Sequence, residues 1–214
     1  LCTNNGKQWG VAINMYAGDY EDRFPNNKDG QDLSWMMPSM SNFWNNYLIK
    51  NRRTTATTKR AANDVLFCPT DKWHRAAETG ISTDGDRQLV GYFYFPGRVR
   101  PDATVDGPAK GGTAEWFYRA KLGGKYSKAP ILVDRMQGLS GAQPTNMYDT
   151  RIDWYADFNG KKVLSANHAG ARGAPDGGNF TFEDGHVEWY NGRRVGVGWV
   201  AGAWLCYYNI PLPE

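Results

Sequence analysis

Hydrophobic residues recur with helical spacing near the start of the chain. Trp9, Ala12, Tyr16 and Tyr20 follow one another at intervals of three or four residues, which places their side chains on one face of an α-helix. Such a helix gains most of its stability by packing its apolar face against another element. We therefore predict an amphipathic helix over residues 2–20 whose apolar stripe docks on the rest of the protein.

Two sequence features limit this helix. Gly6 and Gly10 lie inside it, and each lowers helix stability by about 1 kcal/mol relative to alanine. Phe24 precedes Pro25, and the residue before a proline is disfavoured in the α conformation. The helix is therefore expected to end before Pro25 and to be weakened by its two glycines.

The second half of the chain shows the alternation of β-strands. Polar and apolar residues alternate on both sides of Asp184-Gly185 within residues 179–190. An Asp-Gly pair between two such runs is a strong feature of a β-hairpin, and a type I′ turn requires a positive φ at both central residues. We predict a hairpin here, with Asp184 and Gly185 as its turn.

The remaining pattern sets the fold class. Further strands are predicted at 89–95, 129–134, 161–166 and 199–210. Residues 50–64 lack periodicity and are predicted to form a linker, and residues 137–159 to form a long loop insertion. A helix followed by mostly antiparallel strands indicates an α+β fold rather than alternating βαβ units. We predict a single domain over 1–214, with the helix within 1–24 and a globular head over 25–214.

Composition and charge narrow the function classes. The chain has 214 residues and a net charge of +3, which does not favour a nucleic-acid partner. Its one basic run, Lys50 to Arg53, lies in a Thr-rich stretch and is interpreted as a solvated loop. No run of about 18 apolar residues occurs, so the sequence predicts no transmembrane helix.

The chain has three cysteines, Cys2, Cys68 and Cys206, and their wide separation excludes a CxxC motif. In an oxidising compartment they would give one disulfide and one free thiol. All three pairings are open on this reasoning, with Cys2 and Cys68 taken as the candidate pair. Buried free cysteines are the alternative.

The histidines are the candidates for chemistry. His168 and His186 flank a Gly-rich segment, and across the hairpin they could form a metal site with Asp176 or Asp184, or the centre of a hydrolase. Their spacing matches no compact metal-ligand motif. A histidine in a protein is more often neutral and hydrogen-bonded than a metal ligand. We therefore predict no catalytic, cofactor-binding or metal-binding residues, and treat His168, Asp184, Gly185 and His186 as a structural motif.

The acidic residues give no defined site. The clusters Asp19–Asp22 and Asp84–Asp86 offer oxygen ligands without the spacing of an EF-hand loop, so no residues are assigned to a structural calcium ion. Glu183 and Glu188 flank one turn and are interpreted as cross-strand neighbours rather than as a glycosidase pair. His74 lies in a polar segment and is predicted to be exposed.

The abundance of aromatic residues suggests an alternative function. Nine tryptophans and twelve tyrosines are enough to build both a core and an exposed aromatic shelf. A shelf with adjacent polar groups would bind glycans. The alternative is therefore an extracytoplasmic glycan-binding module.

Four stretches together resemble the prepilin-like proteins, which are relatives of the type II secretion pseudopilins. They are residues 2–10 (CTNNGKQWG), residues 15–19 (MYAGD), residues 67–71 (FCPTD), and His168 with residues 182–187 (FEDGHV). The chain departs from the family pattern in three ways, one of which is the missing apolar anchor segment. Gly6 stands where leucine is usual, and the fifteen residues between His168 and Asp184 exceed the usual spacing.

This resemblance implies both a fold and a role. The fold is an N-terminal helix, the truncated pilin-type stalk, packed on an antiparallel sheet through Trp9, Ala12, Tyr16 and Tyr20. The role is that of a structural, non-enzymatic subunit of a type II secretion or pilus-like assembly. A missing apolar segment, cleaved and methylated by a prepilin peptidase, would anchor it in the inner membrane. The head would be periplasmic or extracellular, and its partners would be other pilin-like subunits.

Overall fold

The protein combines one long helix with antiparallel sheets, so the α+β prediction is confirmed at this level. The computed structural model describes residues 1–27, 33–48, 65–76, 88–97, 119–124, 127–142, 144, 146–201 and 203–209. The predicted linker over 50–64, the basic run from Lys50 and the Asp84–Asp86 cluster lie outside these residues.

The elements follow the chain in this order. Helical segments are α1 (Cys2–Asp19), a 3₁₀ turn (Pro38–Met40), α2 (Ser41–Phe43), a π-helical turn (Trp44–Leu48), and 3₁₀ turns at Ala171–Gly173 and Gly192–Arg194. Strands are β1 (Trp35–Met36), β2 (Gln88–Leu89), β3 (Tyr92–Tyr94), β4 (Pro130–Asp134), β5 (Gln137–Leu139), β6 (Tyr155–Phe158), β7 (Lys161–Leu164), β8 (Gly177–Phe182), β9 (Val187–Asn191), β10 (Gly196–Ala201) and β11 (Trp204–Asn209).

A four-stranded antiparallel sheet in the order β3-β4-β8-β9 forms the centre of the fold. Val133 pairs with Phe93 on one side and with Phe180 on the other. A second sheet has the order β10-β11-β5, and two ribbons pair β1 with β2 and β6 with β7. All five residues of β4 are buried, which explains why this strand appears in the sequence as an apolar run.

The central sheet buries side chains on both faces. Tyr92 and Tyr94 of β3 join the apolar cluster that contains Trp9 of α1, whereas Phe93 joins the cluster that contains Leu205 of β11. Successive side chains of a strand point to opposite faces of its sheet. The central sheet therefore lies between α1 on one face and residues of the second sheet on the other.

Trp9 is the anchor of α1. Its side chain is fully buried, and its Nε1–H donates to the backbone oxygen of Val65 at 2.9 Å. Its ring lies 6.0 Å from that of Phe43 and 6.2 Å from those of Tyr92 and Tyr94. A buried tryptophan with its N–H satisfied makes a large contribution to core stability.

The side chains of the predicted apolar stripe pack against two different parts of the protein. Ala12 is buried in the same cluster as Trp9. Tyr16 and Tyr20 stack on each other at 4.2 Å, and both make edge contacts with Tyr47 of the π-helical turn. The sequence placed all four side chains on the sheet, but the two tyrosines pack on Tyr47, and Tyr16 also contacts Phe43 of α2.

Gly6 and Gly10 form a close contact between α1 and the sheet. A Cβ atom at Gly6 would lie 2.6 Å from Thr181 Oγ1, and one at Gly10 would lie 3.0 Å from the Cα of Gly185. The sequence predicted that these glycines only weaken the helix. They also allow its backbone to approach the β8–β9 hairpin at distances that a side chain would prevent.

Two predicted segments differ in the structure. Residues 137–159 were predicted to be a loop insertion, but they contain β5 and β6. The single strand predicted at 89–95 is divided into β2 and β3, because the N–H of Gly91 donates to the Leu66 backbone oxygen. Within the described part of the chain, no helix is both long and apolar enough to span a membrane.

Candidate functional site

Three of the stretches that carry the family resemblance meet at one place. Cys2 at the start of α1 forms a disulfide with Cys68, across a sequence separation of 66 residues. Asn5 Nδ2 donates to the backbone oxygen of Phe67 at 3.0 Å. His168 Nε2 lies 3.5 Å from Cys68 Sγ. The start of α1, the loop at residues 65–76 and His168 therefore build a common site.

The disulfide fixes the helix to this loop. In the chain-entropy model, closing a loop of 66 residues stabilises the folded state by roughly 4 kcal/mol. It uses the candidate pair Cys2 and Cys68, whereas Cys206 keeps its thiol and is buried in the other apolar cluster.

His168 sits beside the disulfide in an unusual backbone conformation. Its φ is +52°, which non-glycine residues seldom adopt, and its N–H donates to Thr70 Oγ1 at 3.1 Å. Its side chain is half-buried, and the Trp189 ring meets it edge-on at 5.0 Å. The imidazole Nε2 lies 2.8 Å from Asp134 Oδ2. The backbone and the partners together fix the position of this ring.

Asp134 supplies the carboxylate of the site. It ends β4 and is 1% exposed. Its Oδ2 accepts hydrogen bonds from Asn179 N at 2.8 Å and from Asn179 Nδ2 at 2.6 Å. Its Oδ1 is buried without a hydrogen-bond partner. A carboxylate held this way is oriented by the protein rather than by water.

A buried ion pair lies next to the site. Arg135 Nη2 donates to Asp71 Oδ1 at 2.9 Å, and both side chains are fully buried. Arg135 also donates to the Ser165 backbone oxygen, and its guanidinium lies 5.0 Å from the centre of the Trp73 ring. Asp71 is the last residue of the FCPTD stretch, so the pair ties that stretch to the end of β4.

His74 contradicts the prediction that it is exposed. It is 4% exposed, and its Nδ1 lies 2.6 Å from the Val90 backbone oxygen. Burial, and then the nearby charge of Arg135, lower the pKa of His74 well below its ordinary value of 6.5. His74 is therefore a neutral, structural histidine at neutral pH.

Asp184, Gly185 and His186 form the tip of the β8–β9 hairpin. Gly185 N–H donates to the Phe182 backbone oxygen at 3.0 Å, and Gly185 has a φ of +85°. Of the Asp-Gly pair only Gly185 has a positive φ, which contradicts the predicted type I′ turn. Residues 183–185 form a three-residue loop between Phe182 and His186, and Gly185 is its left-handed last residue. Three-residue loops with a left-handed residue are a common hairpin connection.

Asp184 caps this turn with its side chain. Its Oδ1 accepts a hydrogen bond from the backbone N–H of His186 at 3.0 Å, and this bond lowers the pKa of Asp184. The His186 ring stacks on that of Phe182 at 4.3 Å. Both Asp184 and His186 are largely exposed. The arrangement is a local turn, and its groups bond to one another.

The two histidines do not share a site. His168 contacts Asn179, whereas His186 lies beyond Phe182 at the other end of β8. Among the described residues, the group that could hold a metal ion contains His168 but not His186. The metal site and the hydrolase centre that the sequence suggested both required these histidines to converge, so the geometry argues against both.

The two glutamates beside the hairpin turn have structural partners. Glu183 pairs with Arg119, a mostly buried side chain whose pKa is lowered by burial, and also accepts from the Gly123 N–H at 3.1 Å. Glu188 accepts from Tyr190 Oη at 3.1 Å and is paired in register with Phe180. Glu183 and Glu188 are thus not cross-strand neighbours as predicted, because the turn places Glu183 outside the ladder.

One open cleft lies on the surface near the start of β8. It has a volume of about 450 Å³ and is lined by Tyr148, Asp176, Asn191 and Arg193. Burial, and then the charge of Asp176, raise the pKa of Tyr148. The cleft offers one exposed aromatic ring with a carboxylate, an amide and a guanidinium beside it.

The sequence identified only part of the site at His168. It selected Cys2, Cys68 and His168, but gave no role in a site to Asp134, Asn179 or Thr70. Asp134 is the last residue of a buried strand, and a carboxylate in that position is the feature that could have indicated it. Asn179 lies inside a strand and carries no comparable feature.

Comparison of the chain with protein-family models, with curated proteins and with solved structures gives no match. The function is therefore inferred from the residues and their geometry.

Proposed function

We propose that the protein is a structural subunit of a type II secretion or pilus-like assembly. In this proposal α1 is the lower part of a pilin-type stalk, and the sheets form its head. An apolar segment preceding Leu1 anchors the subunit in the inner membrane, with the head outside the cytoplasm. Its partners are other pilin-like subunits, and it performs no catalysis.

The two faces of α1 carry this proposal. One face is fixed to the head by Trp9, by the close approach of Gly6 and Gly10 and by the disulfide at Cys2. On the other face Val11 and Met15 are 59% and 57% exposed. They are four residues apart, so their side chains are neighbours on the helix surface. An apolar strip on a helix held this rigidly is suited to packing against the same helix of a neighbouring subunit.

The site at His168 supports a structural role in the same account. The disulfide, the Asp71–Arg135 pair and the His168–Asp134 contact join α1, the loop at 65–76 and β4. A subunit that bears load along its stalk requires the stalk and head to move as one body. The convergence of these groups serves that requirement.

The experiment expresses the full-length gene product in cells with its prepilin peptidase and measures the protein that pellets with sheared fibres. Val11→Asp and Met15→Asp are expected to lower this fraction about tenfold, the effect of roughly 1.4 kcal/mol at an interface. Tyr155→Asp is the matched control, because Tyr155 is an exposed aromatic residue on β6. The proposal would be refuted if Val11→Asp, Met15→Asp and Tyr155→Asp pelleted with the fibres to the same extent. Thermal melts of the purified heads that match the wild type would show that the variants fold.

The cleft at Tyr148 favours glycan binding as the second candidate function. An exposed ring beside Asp176, Asn191 and Arg193 matches the mixture of stacking and polar contacts that sugars use. Calorimetric titration with oligosaccharides tests it, with Tyr148→Ala as the variant. Retained binding in Tyr148→Ala, or none in the wild type, would remove this candidate.

A further inference from the structure

Four side chains with metal-binding atoms converge at the disulfide. The ligand atoms of Cys2, Cys68, Asp134 and His168 all lie within 4.8 Å of one another. Thiolate sulfur, imidazole nitrogen and carboxylate oxygen are the three donor types of protein zinc sites, and the edges of such a tetrahedron measure about 3.3–3.8 Å. Apart from the two sulfurs, which are bonded to each other in the disulfide, the ligand atoms are therefore already gathered near enough to reach one ion once the disulfide is reduced.

The surroundings hold these ligands in place. Asn179 donates twice to Asp134 Oδ2, which leaves the buried Oδ1 without a partner. Thr70 Oγ1 lies 3.0 Å from Cys68 Sγ and accepts from the backbone N–H of His168. Partners that orient the ligands in this way are typical of zinc sites. A cation bound by Asp134 Oδ1 would also satisfy an oxygen that has no hydrogen bond.

We propose that the reduced protein binds one Zn²⁺ ion through Cys2, Cys68, Asp134 and His168, so that the site alternates between a disulfide and a zinc centre. A dithiol supplies the two electrons. The Cys2–Cys68 bond breaks, the dithiol becomes a disulfide and its two protons pass to the two cysteines. Zinc binding then releases one proton from each thiol, and neutral His168 coordinates through Nε2.

Both states connect the same elements. The disulfide joins α1 to the loop at 65–76, and the zinc centre would join these two elements to β4 through Asp134. The fixation of α1 would therefore survive in a reducing compartment. This inference does not depend on the proposed assembly, since it concerns the ligands alone.

The experiment uses the reduced protein, freed of reductant, and titrates it with Co²⁺ as a spectroscopic substitute for Zn²⁺. We expect one ion per chain, with the strong visible bands of a tetrahedral ion and thiolate charge-transfer absorption. Zn²⁺ should displace Co²⁺. His168→Ala and Asp134→Asn should each lower the Zn²⁺ affinity at least tenfold, whereas His186→Ala and Cys206→Ala should leave it unchanged. The oxidised protein should not give the thiolate absorption.

Several results would overturn the proposal. The first is that the reduced wild type does not bind one ion per chain. The second is that His186→Ala and Cys206→Ala lose as much Zn²⁺ affinity as the ligand variants do. The third is that a double variant lacking the His168 and Asp134 side chains keeps the full Zn²⁺ affinity. The last result would mean that the thiols of an unfolded chain bind the ion. If reduction alone unfolds the protein, Zn²⁺ should restore the near-ultraviolet circular dichroism of the wild type but not of His168→Ala. Failure to restore it also contradicts the proposal.

Discussion

Gly10 of α1 and Gly185 of the β8–β9 turn are in close backbone contact, since a Cβ atom at Gly10 would lie 3.0 Å from the Cα of Gly185. Gly6, one turn earlier, faces Thr181 and Val187 of the same hairpin. These contacts define how the helix sits on the sheet. They also make the helix glycines a sensitive test of the docking.

Gly6→Ala is expected to destabilise the protein by about 1–2 kcal/mol, although alanine favours helix by about 1 kcal/mol. The reason is that the new Cβ would lie 2.6 Å from Thr181 Oγ1. Gly18→Ala is the matched control, because Gly18 belongs to the same helix and a Cβ atom there would have no neighbouring atom within 4 Å. It should stabilise by up to about 1 kcal/mol. Urea denaturation measures both, and a stabilised Gly6→Ala would contradict the close docking.

The hairpin turn depends on the left-handed backbone of Gly185. Gly185→Val should destabilise by roughly 1–2 kcal/mol, because a β-branched residue resists a φ of +85° even where the surrounding space is open. Gly185→Asn should lose less, since asparagine tolerates this region. Thermal melts of the two variants check the prediction. Equal melting temperatures for Gly185→Val and the wild type would refute the assignment of Gly185 as the left-handed residue of the turn.

Breaking the Asp71–Arg135 ion pair should lower the free energy of unfolding more than the glycine substitutions do. Asp71→Ala leaves the fully buried guanidinium without its charge partner, and we expect a loss of about 3–5 kcal/mol. Lys162→Ala, which breaks an exposed pair with Asp153, should cost less than about 1 kcal/mol. Chemical denaturation compares them. Similar small losses for the two variants would mean that the Asp71–Arg135 pair is not buried in solution.

His74 links stability to pH. Its pKa is lowered in the folded state by burial and by Arg135, so below pH 6.5 the unfolded chain binds a proton that the folded protein excludes. The stability is therefore fully present above pH 6.5 and falls by about 1.4 kcal/mol per pH unit below it, until the folded-state pKa is reached. Denaturation at pH 7.5, 6.5 and 5.5, values chosen at roughly one-unit steps around the unfolded-state pKa, measures this slope.

The variant His74→Gln isolates this contribution. It should show a flatter pH dependence than the wild type over the same range, because the titrating ring is gone. A slope that His74→Gln does not change would contradict the neutral, buried state of His74.

The elements that could be predicted from the sequence, α1 and the β8–β9 hairpin, are those that produce a local periodic pattern of apolar residues. The stripe of Trp9 and Ala12 indicated α1, and alternation around Asp184-Gly185 indicated the β8–β9 hairpin. The turn type was wrong, because an Asp-Gly pair is compatible with several hairpin connections and the register decides among them. Gly6 and Gly10 were interpreted through helix propensity alone, whereas their role depends on contacts with a hairpin near the other end of the chain.

The site at His168 was harder to predict from the sequence, because its residues come from segments that are far apart along the chain. Asp134 and His168 are 34 residues apart, and Cys2 and Cys68 are 66 apart. No periodicity connects such positions. His74 was expected to be exposed because its neighbours are polar, but the hydrogen bonds of Asp71 and Val90 satisfy the polar groups of this segment inside the protein.

In the proposed assembly the exposed face of α1, with Val11 and Met15, packs against other subunits. The most direct measurement places a photo-crosslinking amino acid at Val11 of the full-length protein in cells and identifies the adducts by mass spectrometry. We expect adducts that join this position to the helix of a second copy or of another pilin-like subunit, and none from the same probe at Tyr155. Absence of such adducts at Val11, in cells where the protein is processed and folded, would contradict it.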